Sequence, residues 1–370
     1  MTKSHPATPL RTVTLPRHEL RAMARLVHTV ERLSALSAYR AALLHELPEV
    51  ARFDPDHASV MMGYDFHLGA DGPSLIEVNT NAGGGLLALQ AASPLSEAAP
   101  VTLDKRLQDR LRRMFSTEIH NFSVGRSTRP KNVVILDEEP DSQFLYPEMQ
   151  AFRTFFAEWG CSAAIADPKE LLAGTEGVWH QGKRIDLIYN RHCDFYLETA
   201  ALTGLRQAYL QKAVCLTPNP FYYGLQADKR RLCFWSDPEA LATVGLDQTG
   251  IDLLQKVVPK SRMFDSFDPA LLWAERKQWV FKPATQHASR GVLVGAKMTR
   301  SRYQELTADT IVQRYVPPSI NTLGENQFKT DFRLFTYRNR LLGIAARLYR
   351  GQVTNLRTEG GGFAAVSLSD

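Results

Sequence analysis

The chain has 370 residues, a formal charge of +5, and 44% hydrophobic against 22% charged residues, ordinary values for a globular protein of two or three domains. They exclude disorder over most of the length, and so mild a positive bias, densest at Lys229-Arg230-Arg231, argues against a nucleic-acid partner. No run approaches the roughly 18 apolar residues of a membrane helix, and the amino terminus is polar, Pro-interrupted and without an apolar signal core, so a cytoplasmic protein with no membrane partner is expected.

In chain order, residues 17–47 repeat apolar side chains at three- and four-residue steps (Leu20, Met23, Leu26, Val27, Val30, Leu33), which predicts one or two amphipathic helices. GYDFHLGADGPSLIEVNTNAGGG reads as a β-hairpin turning at Asp71-Gly72, with a glycine-rich exit. A helix is expected up to about Phe122, followed by the polar linker VGRSTRPKN. The apolar strand NVVIL, a helix ending at Gly160, the strand CSAAIA, a helix start at Pro168 and a third strand, Ile185 to Tyr189, then alternate as in a small parallel α/β unit. The third unit holds a helix around residues 229–235, the strand WVFKPA, the loop QHASRG, the strands VLVGAK and IVQRYV, a long hairpin from Asp331 to Arg350 and a glycine-rich tail. Cys161, Cys193, Cys215 and Cys233 lie far apart with no CxxC, which points to free thiols.

Glu77 and Asn79, at i and i+2 of a strand, share one face, and Asp65 lies across the hairpin from them. Two carboxylates and an amide oxygen are hard ligands that suit Mg²⁺ holding phosphate; solvated acids at a strand end are the alternative. Lys282 ends an apolar strand, where an ammonium needs an anion, and the loop carrying Ser289 and Gly291 could fold its N–H groups over phosphates. A snorkelling Lys beside an ordinary turn is the competing reading. Arg333 and Arg357 are candidates for clamping a phosphoryl group, with Gly360, Gly361 and Gly362 as a close-approach loop or simply a flexible turn. Arg191, at a strand end, could grip a substrate carboxylate or be structural. His18-Glu19 and His45-Glu46 each open an HExxH pattern, but Ala22 and Glu49 stand where the second His is required, which argues against zinc.

Taken together, Asp65, Glu77-Val78-Asn79-Thr80, Lys229, Phe281-Lys282-Pro283, Gln313, Asp331-Phe332-Arg333 and Arg357-Thr358 with the glycine triplet resemble the ATP-grasp superfamily. The ExN strand precedes the Lys strand, an inverted order similar to that of the circularly permuted members, eukaryotic-type glutathione synthetase and glutathionylspermidine synthetase. The resemblance runs from about Gly63 to Asp370. It implies an α/β (α+β) ATP-grasp fold in permuted order with an inserted small parallel α/β substrate domain. Residues 1–125 would hold the amino-terminal helices and the metal hairpin, 126–225 the substrate domain, and 226–370 the nucleotide-binding lobes and a glycine-rich lid.

Carried over residue by residue, the resemblance gives Asp65, Glu77 and Asn79 to Mg²⁺, and Lys229 and Lys282 to ATP phosphates. It gives Gln313 and Tyr315 to the adenine hinge, Arg333 to phosphate, Arg357 to the acyl group, and Gly360 to Gly362 to the lid. Gln286 stands where glutathione synthetase has an acidic residue, and HASRG replaces its glycine triplet, so the chain is not glutathione synthetase itself. The implied activity is an ATP-dependent carboxylate–amine ligase working through an acyl phosphate on amino-acid- or peptide-like substrates, with a homodimer as the candidate assembly. A phosphotransferase on the same scaffold and a non-catalytic nucleotide-binding protein are the alternatives.

Overall fold

The apolar stripe of residues 17–35 forms one long helix, Arg17–Ala35, which buries Met23, Leu26, Val27, Val30 and Leu33; a second helix, Ser37–Leu43, follows it. The structure, a computed structural model, describes residues 12–91, 105–285, 291–355 and 358–370. Its strands, in chain order, are β1 (Thr12–Pro16), β2 (Met62–Gly69), β3 (Gly72–Asn79), β4 (Asn132–Leu136), β5 (Ser162–Ala166), β6 (Leu172–Gly174), β7 (Gly177–His180), β8 (Lys183–Arg184), β9 (Leu187–Asn190) and β10 (Cys215–Thr217). They continue with β11 (Ser261–Met263), β12 (Trp279–Pro283), β13 (Leu293–Val294), β14 (Thr310–Arg314), β15 (Ser319–Leu323), β16 (Asn326–Tyr337), β17 (Arg340–Tyr349) and β18 (Gly362–Ser369). The chain is a mixed α/β protein with several sheets.

The largest sheet runs β1-β18-β17-β16-β2-β3, with β15 also paired to β16. Its alternation is clean: Tyr64, Phe66, Phe332, Leu334, Ala346 and Leu348 enter a core shared with the helices Arg17–Ala35 and Gln248–Val257. The glycine-rich tail is part of this sheet. Gly362–Ser369 pairs antiparallel with β17 and parallel with β1.

The parallel α/β unit forms as the alternation predicts, in the order β10-β9-β4-β5. All of Val133 to Leu136 is buried because helices cover both faces. Val133 and Ile135 pack with Phe152, Phe155 and Phe156 of the helix Tyr146–Glu158, while Val134 and Leu136 pack with Leu205 and Ala208 of the helix Thr203–Leu210. Pro168 begins only a three-residue 3-10 turn, Pro168–Glu170, rather than a helix.

Glu118, fully buried on the helix Lys105–Phe122, joins this unit to the main sheet. Its carboxylate accepts from His57 Nδ1 at 3.0 Å, Ala58 N at 3.1 Å, Thr217 Oγ1 at 3.1 Å and Tyr337 Oη at 2.6 Å. The last sheet, β11-β14-β12-β13, lies over the main one. Trp279, Phe281 and Val312 turn to one side and pack on Leu272, Met298 and Tyr303. No helix among the described residues is long and apolar enough to cross a membrane.

Candidate functional site between two sheets

Strand periodicity builds a cleft between these two sheets. On the face of the main sheet opposite its core, Asp65 of β2 stands across from Glu77 of β3 and from Arg333 of β16, and Asp331 of β16 stands across from Arg347 of β17. Above them, Val280 and Lys282 of β12 and Gln313 of β14 occupy the side opposite Trp279 and Phe281. The space between them is lined by Asp65, Glu77, Val280, Lys282, Gln313 and Arg347.

A bulge in β3 sets the geometry. Phe66 pairs with Leu75 but Asp65 pairs with Glu77, so Ile76 is an extra residue. This turns Glu77 onto the face of Asp65 and takes the Ile76 carbonyl off the ladder. Lys282, 5% exposed, uses that carbonyl: its Nζ donates to Ile76 O at 2.9 Å and to Gln313 Oε1 at 2.6 Å. Burial is the main cause that brings the Lys282 pKa down to about 8; Lys229 pushes the same way, and Glu77 and Asp65 oppose. The two predicted lysines and the acidic hairpin therefore meet in one electrostatic neighbourhood. Gln313 Nε2 is buried without a partner among the described residues.

Asp65 is held differently from the expectation. Its Oδ1 accepts from Arg333 Nε at 2.6 Å, and its Oδ2 accepts from Arg333 Nη2 at 2.6 Å and Arg347 Nη2 at 2.8 Å. Burial alone would raise its pKa, but the two guanidinium groups outweigh burial and hold it well below the usual carboxylate range. Arg347 also donates from Nε to Asp331 Oδ1 at 2.5 Å, and Thr354 Oγ1 donates to Asp331 Oδ2 at 2.5 Å. Asp65 is thus an arginine partner rather than an open metal ligand, and Arg333 faces Asp65 rather than an open phosphate position.

Glu77 and Asn79 remain as the hard-oxygen pair able to meet a cation. Asn79 Nδ2 lies 3.4 Å from Glu77 Oε1 and 3.3 Å from Asp65 Oδ2, which leaves the amide oxygen on the other side of the Asn79 amide. Among the described residues no three His, Cys, Asp or Glu side chains converge on one metal position, so a Mg²⁺ ion here would complete its shell with ligand and water oxygens.

The remaining predicted residues fall as follows. Gln313 reaches the cleft with its side chain, while its backbone sits between β11 and β12; the Tyr315 N–H donates to Gln278 O at 2.8 Å. Gly291 is exposed at φ 69°. Of the triplet, Gly362 begins β18, and Gly360 and Gly361 lead into it. A Cβ on Gly361 would come within 2.4 Å of Leu348 O, so close approach to β17 requires glycine there. It is Gln352, Val353 and Thr354, just before it, that line the cleft.

Arg191 is buried at the end of β9. It donates to Asn81 O at 3.1 Å and pairs with Glu148 at 3.5 Å. Glu148 in turn accepts from Gly84 N and Leu86 N, both at 2.9 Å, and Arg333 Nη1 donates to Gly83 O at 3.3 Å. The predicted carboxylate grip is therefore, in this structure, a brace on the glycine-rich loop after β3. Ser289 and Arg357 lie outside the described residues.

Sequence reasoning missed His67, Arg347, Tyr349 and Thr354, all of which line the cleft.

Fold and cleft thus define a mixed α/β protein with a charged, partly apolar cleft between two sheets. No protein-family model matches the chain, and no curated protein does. Among solved structures, the "Putative gamma-glutamylcysteine synthetase" of Methylobacillus flagellatus KT is similar, with a TM-score of 0.53 at 10% identity over 96% of this chain and 88% of that one. That likeness is one of fold.

Proposed function

We propose that the chain is an ATP-dependent carboxylate–amine ligase of the permuted ATP-grasp type. The observation that carries this reading is the meeting of Lys282, buried and charged, with Glu77 across one cleft. An ammonium group 5% exposed with only neutral oxygens bonded to it is costly, and an anion in the cleft relieves that cost. The synthetase fold of the neighbour supports the same reading.

In this reading the triphosphate lies along Lys282, with Lys229 adding positive charge nearby. Glu77 and Asn79 would hold Mg²⁺, which would supply neutralisation of charge on phosphate oxygens. A substrate carboxylate attacks the γ-phosphorus, the bond to the bridging oxygen breaks, and ADP leaves. Lys282 and Lys229 stabilise the charge as it redistributes. An amine then attacks the acyl phosphate, loses a proton and expels inorganic phosphate. Arg333 and Arg347 act indirectly, fixing Asp65 and through it the floor of the cleft.

The carboxyl end of β4 leads into Asp137, and open parallel sheets bind ligands at such ends. Burial pushes the Asp137 pKa up to about 6, with Arg191 opposing. This is the proposed direction of the acid and amine substrates.

The test is ADP release from ATP and Mg²⁺ with pooled amino acids and short peptides. The expected result is ADP formation that needs both a carboxylate and an amine and yields an amide. A phosphorylated product formed without an amine would replace the ligase reading with a phosphotransferase.

A further inference from the structure

His67 follows Asp65 by two residues on β2, so it shares the cleft face. Its Nδ1 lies 2.7 Å from Val316 O. A carbonyl oxygen can only accept, so Nδ1 carries the proton and Nε2 of the neutral ring carries a lone pair. Nε2 makes no hydrogen bond among the described residues. The ring stands at the end of the cleft reached by the strand-to-loop passage Arg314 to Val316, away from Arg333 and the glycine-rich loop. Val280, Val292 and Val294 give the cleft an apolar wall, while Asp331, Lys282 and Arg347 are the charged groups that act on the ring. A fixed acceptor in a cleft with an apolar wall is matched to a heteroaromatic base carrying an amino group.

The neighbouring Tyr315 N–H donates to Gln278 O and so is closed to a ligand. We propose that His67 selects the base of the bound nucleotide, accepting a hydrogen bond at Nε2 from an exocyclic amino group and so favouring adenine over guanine. The inference rests on the nucleotide-binding reading above and adds the residue that chooses the base. The 6-amino group of adenine donates to Nε2, whereas the 6-oxo group of guanine sets two lone pairs against each other.

The experiment is equilibrium titration of the full chain with three probes: ATP, GTP, and purine riboside 5′-triphosphate, which lacks the 6-amino group. The wild-type protein is expected to bind ATP roughly tenfold more tightly than the amino-free analogue, the size of one buried hydrogen bond, and GTP more weakly still. His67→Asn keeps a donor for Val316 O but is too short to present an acceptor at the Nε2 position; it is expected to bind ATP and the analogue equally. His67→Phe, which keeps the ring volume, is expected to do the same. Equal affinity of the wild-type protein for ATP and the analogue would overturn the inference, with or without folded variants. Retention of the ATP preference in His67→Asn would also overturn it and would leave nucleotide binding intact. Failure of the wild-type protein to bind any of the three would instead remove the nucleotide-binding reading itself.

Discussion

At the scale of single residues the site is governed by where charge is buried and what meets it. Asp65 and Asp331 are interleaved with Arg333 and Arg347 so that each carboxylate meets a guanidinium. Removing one member of such a network strands its partners in a dry environment. Asp65→Ala is expected to lower folding stability by about 3–5 kcal/mol in urea unfolding, because Arg333 loses its carboxylate and Arg347 keeps only Asp331. A loss of less than about 1 kcal/mol would show the arginines to be solvated. Lys282 titrates the other way. With its pKa brought down to about 8 by burial, it is an ammonium below that pH and a neutral amine above it. Affinity for ATP is therefore expected to fall as pH rises through about 8, up to roughly tenfold per pH unit once Lys282 is neutral. In Lys282→Met that fall should vanish, which titrations at about pH 7 and pH 9 will show.

At the scale of elements the legible and illegible parts separate by periodicity. The helix Arg17–Ala35, the hairpin of β2 and β3 and the parallel unit around β4 announce themselves through regular apolar spacing and turn residues. Residues whose role depends on register do not. In a regular hairpin closed by Gly69 and Gly72, Asp65 would oppose Ile76 and Glu77 would turn to the core; the bulge reverses this. The hairpin closed by Tyr337 and Arg340 likewise shifts between Phe335 and Thr336, and that one-residue step brings Arg347 opposite Asp331. No composition rule marks either bulge, so Arg347 went unread; Asp65 read as a free ligand because its partners Arg333 and Arg347 come from β16 and β17, far along the chain. The glycine triplet is ambiguous in the sequence because glycine serves close approach as well as flexibility. Gly361→Ala drives a methyl group toward Leu348 O and should cost about 1–3 kcal/mol, visible as a lowered melting temperature. An unchanged melting temperature would mean that β17 and β18 can part without loss.

At the scale of the whole molecule, the site exists only because distant segments converge. The hydrogen bond from Lys282 to Ile76 joins residues 206 apart in the chain, and the Glu118 cluster locks the parallel unit to the sheet that carries the acidic hairpin. Convergence of this kind lies beyond any window of local pattern; it became readable in the sequence only through the joint order of the motifs. The most direct test is calorimetric titration of ATP, with Mg²⁺ and with chelator, into the wild-type protein, Lys282→Ala and Glu77→Gln. The account predicts tighter binding with Mg²⁺ in the wild-type protein, a loss of at least tenfold in Lys282→Ala under both conditions, and loss of the Mg²⁺-dependent gain alone in Glu77→Gln. Equal ATP affinity in all three proteins, or no binding by the wild type, would contradict it.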